Sequence, residues 1–211
     1  MDQDANRQLA TVTPFPGHPA ADFGKTERTS LSYGLQTCTT PLLRELVNTL
    51  HATIPNCKPQ ALSATAKASL RGFICEPELL HPAHKQGASD SHRRHLLYAA
   101  PDSSFSIISV VWNPGQFTPV HGHTAWGASG VYAGQPCCES YKLCETSPSV
   151  FNLRHNMTLR LQPGDIATVE PGIDDAHRIG NDTLTRCITV HIYGRDLLAN
   201  PDSINIWLNN L

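Results

Sequence analysis

Apolar residues recur at helical spacing from Pro41 to Ile54, where Leu42, Leu43, Leu46, Val47, Leu50 and Ile54 share one face. Pro41 suits the first turn of such a helix and Pro55 stops it. Ser63 can cap a second helix through Ala64, Ala66, Ala68 and Leu70, with Gly72 near its end. A third short helical stretch is expected around residues 76–84. After about residue 90 the pattern changes to short runs of β-branched and apolar residues separated by Pro-Gly, Gly-Asp and Asn-Asp breaks. The expected strands are His95 to Ala99, Phe105 to Trp112, Ser129 to Tyr132, Glu139 to Cys144, Met157 to Leu161, Ile166 to Val169 and Thr185 to Tyr193. Many short strands at this spacing predict an antiparallel sandwich or barrel. Residues 1–37 are rich in Thr, Pro, Gly and Ser, have no period, and read as a loosely attached arm. The plan is therefore mainly β: the arm, then one domain over 38–211, helical over about 38–88 and a β-barrel over about 90–211.

Composition narrows the class. A chain of 211 residues is long enough for one well-covered core, and 40% hydrophobic against 16% charged residues excludes compositional disorder. A net charge of −2 argues against nucleic acid or an anionic membrane as partner. No apolar run approaches the ~20 residues that span a bilayer. The opening MDQDANRQLA lacks a basic start followed by an apolar stretch, so no secretory signal is expected and the cytoplasm is the expected location. Seven cysteines, an odd number at irregular spacing without C-x-x-C, read as reduced thiols. Cys137 and Cys138 follow a Gly-Gln-Pro turn and are expected to be a loop pair. A monomer or weak homo-oligomer is the expected state.

Histidine is the unusual residue, with 11 copies. In P-G-Q-F-T-P-V-H-G-H, His121 and His123 stand at i and i+2, so an extended chain aims both imidazoles at one point. Two neutral nitrogen ligands on one strand begin a site for a divalent transition metal. By spacing alone, two surface histidines near a turn remain the alternative.

Context adds to this. Gly115 lies six residues before His121 and Gly134 eleven after His123. This spacing resembles the first motif of the cupin superfamily. Gly164 after Pro163, the Pro171-Gly172 turn, His177 and Asn181 resemble its second motif, loosened by small insertions. The resemblance implies a cupin jelly-roll barrel preceded by two or three helices, with His177 as third ligand. The glutamate of the first motif is missing, and Gly127 stands in its place. A site of three histidines and no carboxylate is neutral, so Fe²⁺ would keep its full charge there. Such an ion favours an anionic ligand, and a thiolate is the soft anion that fits.

Three separated pieces sharpen the match. RRHLLYA, FSIISVVWNPGQFTPVHGHTAWGASGVYAG, and HRIGN followed by CITVHIYGRD resemble the thiol dioxygenases. That family comprises cysteine dioxygenase and bacterial relatives acting on 3-mercaptopropionate and similar thiols. The resemblance implies Fe²⁺ held by His121, His123 and His177, a small thiol and O₂ as reactants, and a sulfinate product. It also implies a relay of Thr189, His191 and Tyr193, with threonine where the family carries serine. Alternation places these three on one face of a strand and Ile188, Val190 and Ile192 on the other. Arg94 matches the arginine that grips the substrate carboxylate, a task suited to a bidentate guanidinium. Arg93 is the alternative. Gly127 also stands where some relatives carry a cysteine crosslinked to the tyrosine, so no thioether on Tyr193 is expected. Trp126 is either a pocket wall or a core residue. His18, His51, His81, His84, His92 and His155 have no partner at ligand spacing and read as ordinary, while His95 could line the pocket. L-cysteine is the first expected substrate, ahead of 3-mercaptopropionate and mercaptosuccinate. Two rival readings stay open: a non-catalytic small-molecule-binding cupin, and a cupin hydrolase or isomerase using zinc or manganese.

Overall fold

The computed structural model describes residues 39–147 and 150–208, so the arm expected over 1–37 and His18 lie outside the described residues. Helix α1 spans Pro41–Thr53. Thr40 caps it: its hydroxyl oxygen accepts from the Leu43 amide at 3.1 Å and its proton goes to the Leu79 carbonyl at 2.8 Å. Leu43, Leu46, Val47 and Leu50 form the buried stripe that the periodicity predicts. Helix α2 spans Leu62–Arg71. Its cap differs from expectation. Ala61 holds the N-cap position without a side-chain bond, and Ser63, one residue inside the helix, donates to the Glu170 carboxylate instead. The third helical stretch reduces to turns and one 3₁₀ turn, Pro82–Lys85. Pro77 and Pro82 each remove an amide donor there, which denies a longer helix its ladder.

Ten strands follow: β1 Arg93–Ala99, β2 Ser106–Trp112, β3 His121–His123, β4 Gly127–Ala133, β5 Cys137–Ser147, β6 Val150–Arg160, β7 Ile166–Val169, β8 Gly172–Gly180, β9 Cys187–Tyr193 and β10 Asn205–Trp207. They form two five-stranded sheets, ordered β1-β2-β9-β4-β7 and β10-β3-β8-β5-β6, with antiparallel pairing throughout. This is the jelly-roll barrel preceded by helices. Cys137 and Cys138 open β5 rather than sitting in a loop. Strand pairing begins directly after Pro136, with Cys137 opposite both Arg160 and Gly180. The six cysteines of the described residues are unpaired thiols.

The first sheet is covered on both faces. Every residue of β2 and β9 is buried. On one face Ile107, Val111, Ile188, Val190 and Ile192 pack with the helical Leu43, Leu46, Leu50 and Leu70. On the other, Ile108, Val110, Trp112 and Tyr193 form the barrel interior with Ile179, Leu197 and Ile204. The helices therefore seal the outside of the sheet whose inner face carries the relay. Among the described residues no helix is long and apolar enough to cross a membrane.

Candidate metal centre

Strand β3 is only three residues long, and two of them are histidines. It is gripped from both sides. On one edge His121 stands opposite His177 of β8 and His123 opposite Gly172. On the other, Trp207 of β10 stands opposite His121 and Asn205 opposite His123. Gly122 lets β3 and β8 approach closely: a Cβ there would lie 2.3 Å from the Gly172 carbonyl oxygen. Ring centroids are 5.1 Å apart for His121 and His123, 4.7 Å for His121 and His177, and 4.9 Å for His123 and His177. One nitrogen from each ring lies within 4.8 Å of the others, the one such group of three among the described residues.

Local hydrogen bonds orient two of these rings. Nδ1 of His121 donates to the Pro119 carbonyl at 2.9 Å, and Nδ1 of His177 to the Asp175 carbonyl at 3.0 Å. A carbonyl only accepts, so both rings carry their proton on Nδ1 and keep a lone pair on Nε2. Nδ1 of His123 is buried with no partner among the described residues, the kind of orphan that a bound group satisfies. Burial, then the neighbouring histidines, pushes His121 well below its usual range and His123 down to about 3. Burial also lowers His177. Three neutral nitrogen donors without a carboxylate suit a divalent transition metal.

Beside the triad runs the relay, all of it on the inner face of β9. Thr189 Oγ1 lies 2.7 Å from His191 Nε2, and His191 Nδ1 lies 3.0 Å from the Tyr193 hydroxyl. Tyr193 lies next to His123, with ring centroids 6.1 Å apart. Burial lowers His191 to about 3 and raises Tyr193, so the imidazole is neutral and the phenol keeps its proton at neutral pH. Gly127 stands opposite Tyr193 in the register, and a Cβ at Gly127 would lie 2.7 Å from the Tyr193 ring. The tyrosine occupies the room that a side chain at 127 would need.

A cavity of about 50 Å³ lies against the triad, and Arg94 and Tyr193 line it. Arg94 pairs with the inward-facing Val110, whereas Arg93 pairs with Val111 on the helix-covered face. Arg94 Nη2 donates to the Pro201 carbonyl at 3.2 Å and to Asp202 Oδ1 at 3.3 Å, and the Asp202 side chain is 63% exposed. Burial lowers the Arg94 pKa, and Asp202 and Tyr193 oppose that shift.

One sequence expectation, His92, needs correction here, and the open alternatives at Trp126 and His95 are decided. His92, read as ordinary, lines the cavity and stacks on Trp112 with centroids 4.7 Å apart. Alternation from Arg94 points to it, two residues upstream on the same face. Trp126 is core rather than wall: it packs against the helix-side cluster, and its indole fills the space beside Gly194. His95 does not line the cavity; its Nε2 donates to the Gln86 carbonyl at 2.8 Å. Asn205, which does line the cavity, carries no sequence signal of its own.

No family model matches the chain. Among solved structures it is similar to a cupin-2 domain of Rhodospirillum rubrum at 12% identity and TM-score 0.39, over 50% of this chain and 62% of that one. It is similar to a double-stranded β-helix domain protein of Klebsiella pneumoniae at 17% identity and TM-score 0.40, over 54% of this chain and 85% of that one. It is also similar to the oxalate decarboxylase of Lactobacillus farciminis at 17% identity and TM-score 0.41, over 63% of this chain and 36% of that one. The chain thus spans less than two thirds of the Rhodospirillum rubrum and Lactobacillus farciminis proteins.

Proposed function

We propose that this protein is a thiol dioxygenase that holds Fe²⁺ with His121, His123 and His177 and converts a small thiol carboxylate and O₂ to the sulfinate. The observation that carries the reading is one cavity lined by three neutral imidazoles, a guanidinium and a hydrogen-bonded phenol. The reaction balances without a further reductant: a thiolate and O₂ give a sulfinate, two S–O bonds form, the O–O bond breaks, and sulfur supplies the four electrons that dioxygen takes up. Fe²⁺ at this site would supply the binding of both reactants and the electron path between them.

The chain's own residues do the rest. Arg94 releases the exposed Asp202 and grips the substrate carboxylate through parallel hydrogen bonds, which fixes the thiol end towards the histidines. Tyr193, oriented by His191 and Thr189, presents its phenol beside them. Ile108, Val110 and Ile204 keep the surrounding wall apolar. L-cysteine stands first as substrate, with 3-mercaptopropionate and mercaptosuccinate next, because each offers Arg94 a carboxylate.

The test is O₂ uptake by iron-loaded protein with cysteine, 3-mercaptopropionate, mercaptosuccinate, cysteamine and a thiol-free control. Uptake with one thiol and an equal yield of sulfinate by mass spectrometry is the expected result. No uptake with any thiol, at full iron content, would move the reading to the non-catalytic binder. Arg94→Ala is expected to raise KM for the carboxylate thiol about 10-fold or more, since a hydrogen bond to a charged group is worth about 1.5–3 kcal/mol. Any turnover of cysteamine, which lacks the carboxylate, should be little changed. An unaltered KM for the carboxylate thiol would remove Arg94 from substrate binding.

A further inference from the structure

The relay does not end at Thr189. Trp112 of β2 reaches across the sheet, and its indole Nε1 donates to Thr189 Oγ1 at 3.0 Å. Both side chains are about 1% exposed. The far end of this hydrogen-bond chain decides how its protons lie.

We infer that Trp112 fixes the direction of the hydrogen-bond chain Trp112–Thr189–His191–Tyr193 and so leaves the phenol proton of Tyr193 to the cavity. Its catalytic meaning rests on the thiol oxidation proposed above; the direction itself does not. An indole N–H can only donate, so Thr189 must accept from it. Among the described residues the hydroxyl has one other partner, His191 Nε2 at 2.7 Å. The threonine proton therefore belongs on that bond, and His191 Nε2 accepts it. A neutral imidazole that accepts at Nε2 carries its own proton on Nδ1. Nδ1–H then donates to the Tyr193 oxygen at 3.0 Å. The phenol oxygen is used as an acceptor, and its hydrogen is left to point into the cavity beside His123. The reverse direction would strand the threonine proton in the interior without an acceptor and would turn the phenol proton away from the cavity.

Trp112 is thus a positioning residue. Replacing it with phenylalanine removes the donor and leaves room beside Thr189 for water, which accepts as readily as it donates. The hydroxyl then has two places for its proton, and the chain has two directions.

The experiment is long-range ¹H–¹⁵N correlation spectroscopy on full-length, metal-free, histidine-labelled protein at neutral pH, with the His191 signals identified by their loss in His191→Gln. The expected pattern is a protonated Nδ1 and an unprotonated Nε2. A protonated Nε2 in the wild-type protein would overturn the inference, and this measurement stands even if no Trp112 variant folds. Trp112→Phe is expected to give a mixture of the two tautomers and, in iron-loaded protein of unchanged metal content, a lower kcat with KM nearly unchanged. Thr189→Ser, which keeps the hydroxyl, should retain the wild-type pattern. A folded Trp112→Phe protein that keeps the single Nδ1–H tautomer would show that the tryptophan does not set the direction. The Nδ1–H pattern in a protein that oxidises no thiol would uphold the inference while sinking the reaction; sulfinate formed by a protein with Nε2–H would do the reverse.

Discussion

At the scale of single residues, His84 shows how a histidine outside the three-histidine cluster affects the molecule. Its Nδ1 is buried without a partner among the described residues, and burial, then His95, then His81, pushes it down to about 4. In the unfolded chain the same imidazole protonates near its usual 6.5. Between those two values the unfolded state holds more protons, so stability rises with pH through the window and is lost as pH falls from 6.5 towards 4. His84→Gln should flatten that slope, visible as a smaller drop in urea midpoint between neutral and mildly acidic buffer. Equal drops in both proteins would assign the acid sensitivity to other groups. The ring is only partly buried, so solvent screening keeps the effect modest. The sequence showed that His84 has no neighbour at ligand spacing. It could not show that a 3₁₀ turn folds back to set His84 and His95 5.8 Å apart, ring to ring.

Among the elements, the pairing of β3 with β8 leaves no room for a side chain at Gly122. A methyl group at Gly122 would meet backbone, the Gly172 carbonyl oxygen, rather than a side chain able to turn aside. Gly122→Ala is expected to cost about 1–3 kcal/mol, the usual scale of overpacking, and to lower the metal-to-protein ratio because His177 moves with β8. Urea unfolding and metal analysis would check both; full stoichiometry at unchanged stability would show that the strands part without harm. The legibility of each strand follows from its surroundings. β9 was plain because its two faces meet different partners, Ile188, Val190 and Ile192 the helices and Thr189, His191 and Tyr193 the interior. β8 was invisible as a strand: GIDDAHRIG turns Asp174 and Asp175 to solvent and brings no apolar alternation, so His177 was found by motif alone. β10 has three residues and therefore no period to read. Leu79 and Leu80 looked helical, but they are buried in the helix-side core in a non-helical segment, tied to Thr40 through the Leu79 carbonyl.

For the whole molecule, the three histidines come from two different strands, so the candidate metal centre exists only in the folded barrel. An ion that binds only the folded state stabilises it by about 2.7 kcal/mol at one hundred times its dissociation constant. Added Fe²⁺ under anaerobic conditions should therefore raise the Tm of the wild-type protein in a concentration-dependent way and leave His177→Ala nearly unmoved; equal shifts in the two proteins would place the ion elsewhere. The broad plan of helices followed by a barrel was readable because each segment announces its own period. The sandwiching of one sheet between helices and cavity was not, since it depends on contacts between residues far apart in the chain. Strand β10 adds a matter of timing. It pairs with the outer edge of the His121–His123 strand, reinforced by Thr124 N to the Ile204 carbonyl at 2.7 Å and Leu208 N to the Val120 carbonyl at 3.0 Å. A nascent chain thus emerges from the ribosome with all three histidines before the strand that pairs with two of them. A chain cut short of residue 205 would keep all three histidines yet expose an unpaired strand edge, and quality-control proteases would meet it as unfinished protein.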